Sequence, residues 1–309
     1  MRGTRRLAAV LAVLLAALVS AGAGAGPATA EERLDVVAFN VLAPVWAAPA
    51  WYPEELDPAL LDAGVRRERI AAFLAARAAT ADVVCLQEVQ GSELPAFLAA
   101  LGSGFTGAMA YNARDWWSDW VVPEIPWAPN GTAVIVRRAA FRSIAFRDVA
   151  LTDDGNHAAA FSGVHRATGR VVRAISVHLD SDSQANRGRE ARVAVAELPA
   201  VAGAADVICG DINEDAVTGT AAGVFSRAGF TDALAAVGNR EPTHPWSSSY
   251  NGAPRWGIID HVLVRGAVPR DGDVADFGVW AIADEVERIA ANLRNTGSDH
   301  FPVLAGAGL

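Results

Sequence analysis

The residues able to do chemistry in this chain stand where its apolar runs stop. Val207-Ile208-Cys209 is a β-branched apolar run of the kind that forms a buried strand. Gly210 breaks it. Asp211 and Asn213 follow at alternate positions, so both side chains can project to one side of the strand end. A carboxylate and a carboxamide in such a place cost stability unless something uses them. An Asx turn closing a strand would explain this pair taken alone. Four other apolar runs, however, end the same way, at Asn40, at Glu88, at His178 and at Asp260-His261, and Asp299-His300 stands just before the C-terminus.

Together these residues supply carboxylates, amides and imidazoles. No cysteine or serine nucleophile stands among them, no GxSxG or Walker-type glycine loop occurs, and neither CxxC nor HExxH is present. Oxygen ligands in this number suit a hard cation, Mg²⁺ with Mn²⁺ or Ca²⁺ as alternatives, rather than zinc. A histidine with a carboxylate can activate water. The set fits metal-assisted hydrolysis of a phosphate ester, in which the work is positioning, charge neutralisation and in-line attack.

The elements that must position these groups can be read in outline. Leu34–Phe39, Asp82–Leu86, Thr132–Arg137, Ile144–Leu151, Ala158–Val164, Val171–His178, Val207–Cys209, Ile258–Val264 and Phe301–Leu304 read as strands. Helices are expected from Asp57-Pro58 to near Thr80, over Ser92–Leu101, Arg187–Leu198 and Ala221–Ala228, and over Asp284–Arg294. Strands outnumber helices, and helices fall between some of them. That predicts an α+β fold of two packed sheets with helices outside. Residues 111–130, with Tyr111, Trp116, Trp117, Trp120 and Trp127, read as a long surface loop. Its tryptophans could pin the loop, stack on bases or meet a lipid interface.

The chain has 309 residues. Arg2, Arg5 and Arg6, the apolar Leu7–Val19 and the small-residue site Ala28-Thr29-Ala30 have the layout of a secretory signal peptide, residues 1–30. The remainder, 31–309, reads as one secreted domain. The apolar run is too short for a comfortable membrane span, so no stable membrane insertion is expected. Losing the three leader arginines takes the formal charge from −9 to −12, which argues against binding driven by a broad basic surface. The chain contains no lysine. Cys85 and Cys209 each sit inside an apolar run. Export makes a disulfide possible, and two buried free thiols are the favoured reading. His157, His165 and His244 read as surface or strand-edge residues without placed partners.

Seven short motifs run through the chain in order: Phe39-Asn40-Val41-Leu42, Leu86-Gln87-Glu88-Val89, Asn130-Gly131-Thr132, Ser176-Val177-His178-Leu179, Gly210-Asp211-Ile212-Asn213, Ile259-Asp260-His261-Val262 and Ser298-Asp299-His300. In order and approximate spacing they resemble the endonuclease/exonuclease/phosphatase superfamily, from residue 35 to 304. That group includes deoxyribonucleases, apurinic endonucleases, deadenylases, inositol polyphosphate phosphatases and neutral sphingomyelinases. The resemblance implies a four-layered α/β sandwich, two packed mixed β-sheets flanked by helices, with the site at one end of the sheets.

It also implies roles. Glu88 would be the principal metal ligand, with Asn40 close by and Asp299 completing the metal site. His300 would activate or orient the attacking water, and Asp260 would hold its tautomer. Asp211 would be the second acid/base group. Asn213 and His178 would hydrogen-bond the phosphoryl oxygens, with Asn130 as a phosphate-side contact. Arg189, on the helix after His178, is a substrate-side candidate from its position alone, a solvated arginine being the favoured reading. His261 departs from the pattern, standing where many members have an aromatic residue. The expected activity is a monomeric Mg²⁺-dependent phosphoesterase. Its expected substrate is nucleic acid, ahead of a sphingomyelinase-like lipid substrate or an inositol phosphate. A non-catalytic binding protein on the same scaffold is the different-class alternative.

Overall fold

The computed structural model describes residues 32–112, 130–152, 155–215, 218–245 and 257–309. The leader and Trp116, Trp117, Trp120 and Trp127 lie outside the described residues.

The strands in chain order are β1 (Arg33–Asn40), β2 (Val83–Gln90), β3 (Phe105–Tyr111), β4 (Asn130–Arg137), β5 (Phe141–Ala150), β6 (His157–His165), β7 (Val171–His178), β8 (Ala205–Asp211), β9 (Thr231–Asp232), β10 (Asp260–Arg265), β11 (Val268–Val274) and β12 (Val303–Gly308). The helices are α1 (Ala63–Phe73), α2 (Leu94–Leu101), α3 (Gln184–Glu197), α4 (Thr220–Arg227), α5 (Ala233–Val237) and α6 (Glu285–Thr296). One sheet runs β11-β12-β1-β2-β4-β3 and the other β5-β6-β7-β8-β10-β9. Both are mixed, because β1 pairs parallel with β2 and β7 parallel with β8 while the other pairs are antiparallel.

The two-residue period of the strands builds the layers. In β1, Leu34, Val36 and Ala38 face the second sheet, where they meet Val207, Cys209 and Val262. Val37 and Phe39 point the other way, into a cluster with Ile70, Phe73 and Phe97 of α1 and α2. On the second sheet Ile175, Val177 and Ile208 face out against Ala191, Ala194 and Phe225 of α3 and α4. The result is helices, sheet, sheet, helices: a four-layered α+β sandwich, as expected.

Local chemistry sets the element ends. Asp62, Ser183 and Asp284 each accept a backbone N–H of the first helical turn of α1, α3 and α6. The helix expected from Asp57-Pro58 starts instead as a 3₁₀ turn, Pro58–Leu61, capped by Asp57; α1 then begins after a second cap at Asp62. Two caps five residues apart break what the apolar spacing made look continuous. β3 and β11 carry partly buried, glycine- or charge-containing sequences, so their hydrophobic alternation is too weak to mark them as strands.

Cys85 of β2 and Cys209 of β8 form a disulfide joining the two sheets across the core, with Cα atoms 6.0 Å apart. The reading of two free thiols is therefore corrected. Each cysteine sits in its own apolar run as any core residue would, and its partner lies 124 residues away. Closing a loop of that length restricts the unfolded chain, which predicts that the Cys85→Ala/Cys209→Ala double variant loses roughly 2–5 kcal/mol. Urea denaturation measures this, and an unchanged midpoint would contradict a stabilising cross-link.

Candidate active site

The site lies where β1, β2, β7, β8 and β10 end together. Asn40 closes β1, Glu88 follows in β2, His178 closes β7, and Asp211 closes β8 opposite Asp260, the first residue of β10. Two backbone features shape this end. The register of β2 against β4 shifts between Leu86 and Val89, and Glu88 within that bulge has φ 59. A bulge re-aims a side chain, and a non-glycine residue at positive φ is held there only by its surroundings. Gly210 has φ 134, and a Cβ there would collide with the Val177 carbonyl and the Gln87 amide. Only glycine lets β8 pass that close.

Under the site, Gln87 Nε2 donates to Ser176 Oγ at 3.0 Å, and Ser176 Oγ donates to the Leu86 carbonyl at 3.0 Å, tying the sheets together. Above this tie, Asn40 Nδ2 donates to Glu88 Oε1 at 2.9 Å and to Asp211 Oδ2 at 3.1 Å. Asn40 Oδ1 accepts from the Leu42 amide at 3.0 Å. Glu88 Oε2 accepts from the Ala43 amide at 2.8 Å. One carboxamide thus joins the carboxylates of both sheets.

His300 stands in the bend between α6 and β12; its Nδ1 is 2.8 Å from Asp260 Oδ2 on the second sheet, and its Nε2 is 3.8 Å from Asp211 Oδ2. His178 Nε2 is 3.6 Å from the same Asp211 oxygen and 4.0 Å from Glu88 Oε1. Burial alone would lower the His300 pKa, but the carboxylates of Asp260, Asp211 and Asp299 outweigh it and push the ring up to about 10. Asn213, at φ 53, donates Nδ2 to the Leu179 carbonyl at 2.8 Å, and its own amide donates to Asp211 Oδ1 at 2.9 Å.

Asp299 has partners that sequence reasoning missed. Tyr52 donates its hydroxyl to Asp299 Oδ2 at 3.0 Å, and His244 Nε2 is 3.8 Å from that oxygen. The His244 ring stands edge-on to His300, centroids 4.8 Å apart. Burial would raise the Asp299 pKa; the His244 hydrogen bond, the His300 and His244 charges and the Tyr52 hydroxyl together hold it well below the usual carboxylate range. Burial, then the Asp299 charge, push the Tyr52 phenol well up, so it remains a donor.

His244 is therefore buried in the site, not on the surface. It follows Thr243, whose Oγ1 accepts the Ile259 and Asp260 amides at 3.0 Å each. Neither Tyr52 nor His244 lies in a regular element, so no periodic signal marks them. His165 is buried as well, against Phe141 and Thr168. His157 pairs with Asp148.

Among the described residues, no hydrogen bond or ion pair joins the two remaining candidates to this cluster. Asn130 is buried at the start of β4, opposite Gln90. Arg189 is exposed on α3 and bonds Asn186. Two residues earlier, Arg187 turns inward to Glu214 and the Asp180 carbonyl.

The donor set fits a hard cation. Asp299 Oδ1 is buried without a hydrogen-bond partner, and an ionised carboxylate oxygen in that condition wants a positive charge.

His300 gives a signed prediction. Its folded pKa lies above the ~6.5 of an unfolded histidine. Its contribution to stability is thus complete below pH ~6.5 and is lost as pH rises through about 10. In metal-free protein the His300 ring resonances should not titrate between pH 6 and 8, and Asp260→Asn should bring the midpoint down. A wild-type midpoint near 6.5 would show that the three carboxylates do not hold the charge on the ring.

Comparison with known proteins places this arrangement. The Endonuclease/Exonuclease/phosphatase family matches residues 37–300. No curated protein sequence matches significantly. Among solved structures, an endonuclease/exonuclease/phosphatase from Bacteroides vulgatus is 16% identical with a TM-score of 0.64, covering 90% of this chain and 99% of its own. The human Nocturnin catalytic domain with bound sulfate is 18% identical at TM-score 0.62, covering 91% and 95%. D. rerio TDP2 complexed with a single-strand DNA product is 16% identical at TM-score 0.59, covering 90% and 99%. At these identities the structural likeness speaks for the fold, which agrees with the family match over most of the chain. The chain belongs to the endonuclease/exonuclease/phosphatase family of phosphoester hydrolases.

Proposed function

We propose that this protein is an exported, divalent-metal-dependent phosphodiesterase acting on nucleic acid. The observation that carries the reading is the convergence on one oxygen: His300, backed by Asp260, and His178 both approach Asp211 Oδ2, which Asn40 links to Glu88. A water and a phosphate meeting there face a proton acceptor and imidazole groups together.

Asp211 takes the proton of the attacking water as the water oxygen bonds to phosphorus; the bond from phosphorus to the ester oxygen breaks, and that oxygen takes a proton from a second water. His300 Nε2 orients the water or a phosphoryl oxygen, and Asp260 fixes the ring through Nδ1. His178 and the second N–H of Asn213 hydrogen-bond phosphoryl oxygens. Glu88, Asp299 through Oδ1 and Asn40 would hold the metal, Mg²⁺ by the hardness of these donors. A cation held by these residues would supply positive charge to the phosphoryl oxygens.

Nucleic acid is favoured over lipid or inositol phosphate by the DNA product found on the TDP2 fold. Sulfate on the Nocturnin fold supports a phosphate-like anion. Among the described residues no helix is long and apolar enough to cross a membrane.

Export is supported by the N-terminal pattern and by the Cys85–Cys209 bond, since such bonds persist in oxidising compartments. N-terminal sequencing of protein recovered from the medium should begin at Glu31; a chain retaining Met1 would contradict cleavage.

The activity is tested on plasmid DNA, RNA, sphingomyelin and inositol phosphates, each with Mg²⁺ and with EDTA. Nucleic acid should be cleaved only with Mg²⁺. Asp211→Ala and His300→Ala should each lose on the order of 10²–10⁴-fold in kcat, and Glu88→Ala should lose its response to Mg²⁺. Hydrolysis that survives EDTA, or that is unchanged in these variants, would remove the reading.

A further inference from the structure

His261 is buried with both ring nitrogens against acceptors. Nδ1 is 2.8 Å from Asp232 Oδ2, while Nε2 is 2.8 Å from the Ile258 carbonyl oxygen and 3.2 Å from that of Glu214. A carbonyl only accepts, so Nε2 carries a proton. An ionised carboxylate also only accepts, so Nδ1 carries the other. Asp232 is held in place independently, since its Oδ1 accepts the Ala235 amide at 2.6 Å and caps α5.

The ring sits where the β8–β10 ladder gives out. Asp260 lies opposite Asp211 and His261 opposite Gly210, and one further backbone bond, Ile212 amide to Ile259 carbonyl at 2.9 Å, lies beyond. The chain then turns through Asn213 at φ 53, a conformation its surroundings must hold. His261 grips a carbonyl on each side of that turn. Glu214 directly follows Asn213, and Ile258 stands two residues before Asp260. The charged groups facing the ring are Asp232, Asp260 and Glu214, whose carboxylate is itself taken by Arg187 and the Ala221 and Ala222 amides. Burial opposes charge on His261, but the Asp232 contact and the Asp232 and Asp260 charges outweigh it and raise its pKa.

We propose that His261 is a positioning residue, a doubly protonated imidazolium clasp that ties Asp232 to the Ile258 and Glu214 carbonyls and fixes Asp211, Asn213 and Asp260 in working register. Its effect on catalysis rests on the phosphodiesterase reading above; its effect on structure does not.

The full-length protein, labelled with ¹⁵N-histidine, should show both His261 nitrogens protonated at pH 7, and Asp232→Asn should leave one of them bare. In His261→Phe the Ile212 amide should exchange with solvent at least tenfold faster, while that of Ile208, within the ladder, keeps its rate. kcat on the cleaved substrate should fall at least tenfold with Mg²⁺ affinity unchanged within twofold. Leu74→Ala, destabilised in the other helical layer, should keep its kcat, separating position from general stability. A bare His261 nitrogen in the wild type, or a folded His261→Phe with wild-type kcat and Ile212 exchange, overturns the clasp. If His261→Phe does not fold, the wild-type and Asp232→Asn spectra decide. A wild type that cleaves none of the substrates removes the phosphodiesterase reading alone, and the nitrogen and exchange measurements still judge the clasp.

Discussion

Glu88, Asp211, Asp260 and Asp299 bring four buried carboxylates to one end of two packed sheets. Like charges removed from water repel strongly and lose hydration as well, so such a cluster stands only if each member is met by donors or cations. Asn40 shares its amide between Glu88 and Asp211. His300 meets Asp260, and Tyr52 with His244 meets Asp299. Asn40 and His300, two of the groups that make the cluster tolerable, are also ones the proposed function uses. Asp260 Oδ1 and Asp299 Oδ1 stay buried without a hydrogen-bond partner, and under the proposed function the second of them takes the metal.

The sandwich makes this crowding possible because each sheet delivers its groups on rigid strand ends. The inter-sheet ties lie directly beneath. The Cys85–Cys209 bond is three residues from Glu88 on one strand and two from Asp211 on the other, and the Gln87–Ser176 pair lies between them. Gly210 supplies the close approach and the β2 bulge the aim. Side chains fixed from below in this way need little reorganisation when charge develops above them, which is what electrostatic catalysis requires.

Much of this is legible in the chain alone. Asn40, Glu88, His178, Asp211 and Asp260 stand out because a polar group ending an apolar run contradicts its own surroundings, and recurrence makes chance a poor explanation. The layers follow from strand alternation in β1, β2, β7 and β8. β3 and β11 escape notice because their burial is partial and their alternation weak. Arg189 is exposed, as the solvated-arginine reading has it, and helical geometry turns Arg187 inward instead.

Most of the strands, their polar ends and the chemical character of the set follow from the chain, because these depend on residue type and on periods of two or four positions. Which side chains meet was settled by packing. It paired Cys85 with Cys209, brought Tyr52 and His244 from irregular segments onto Asp299, and turned His261 from an odd residue beside Asp260 into a link between Asp232, Ile258 and Glu214. Contacts between residues tens to hundreds of positions apart leave no periodic trace in the chain. They exist because two sheets, each folded on local rules, pack at a fixed distance and bring their ends together.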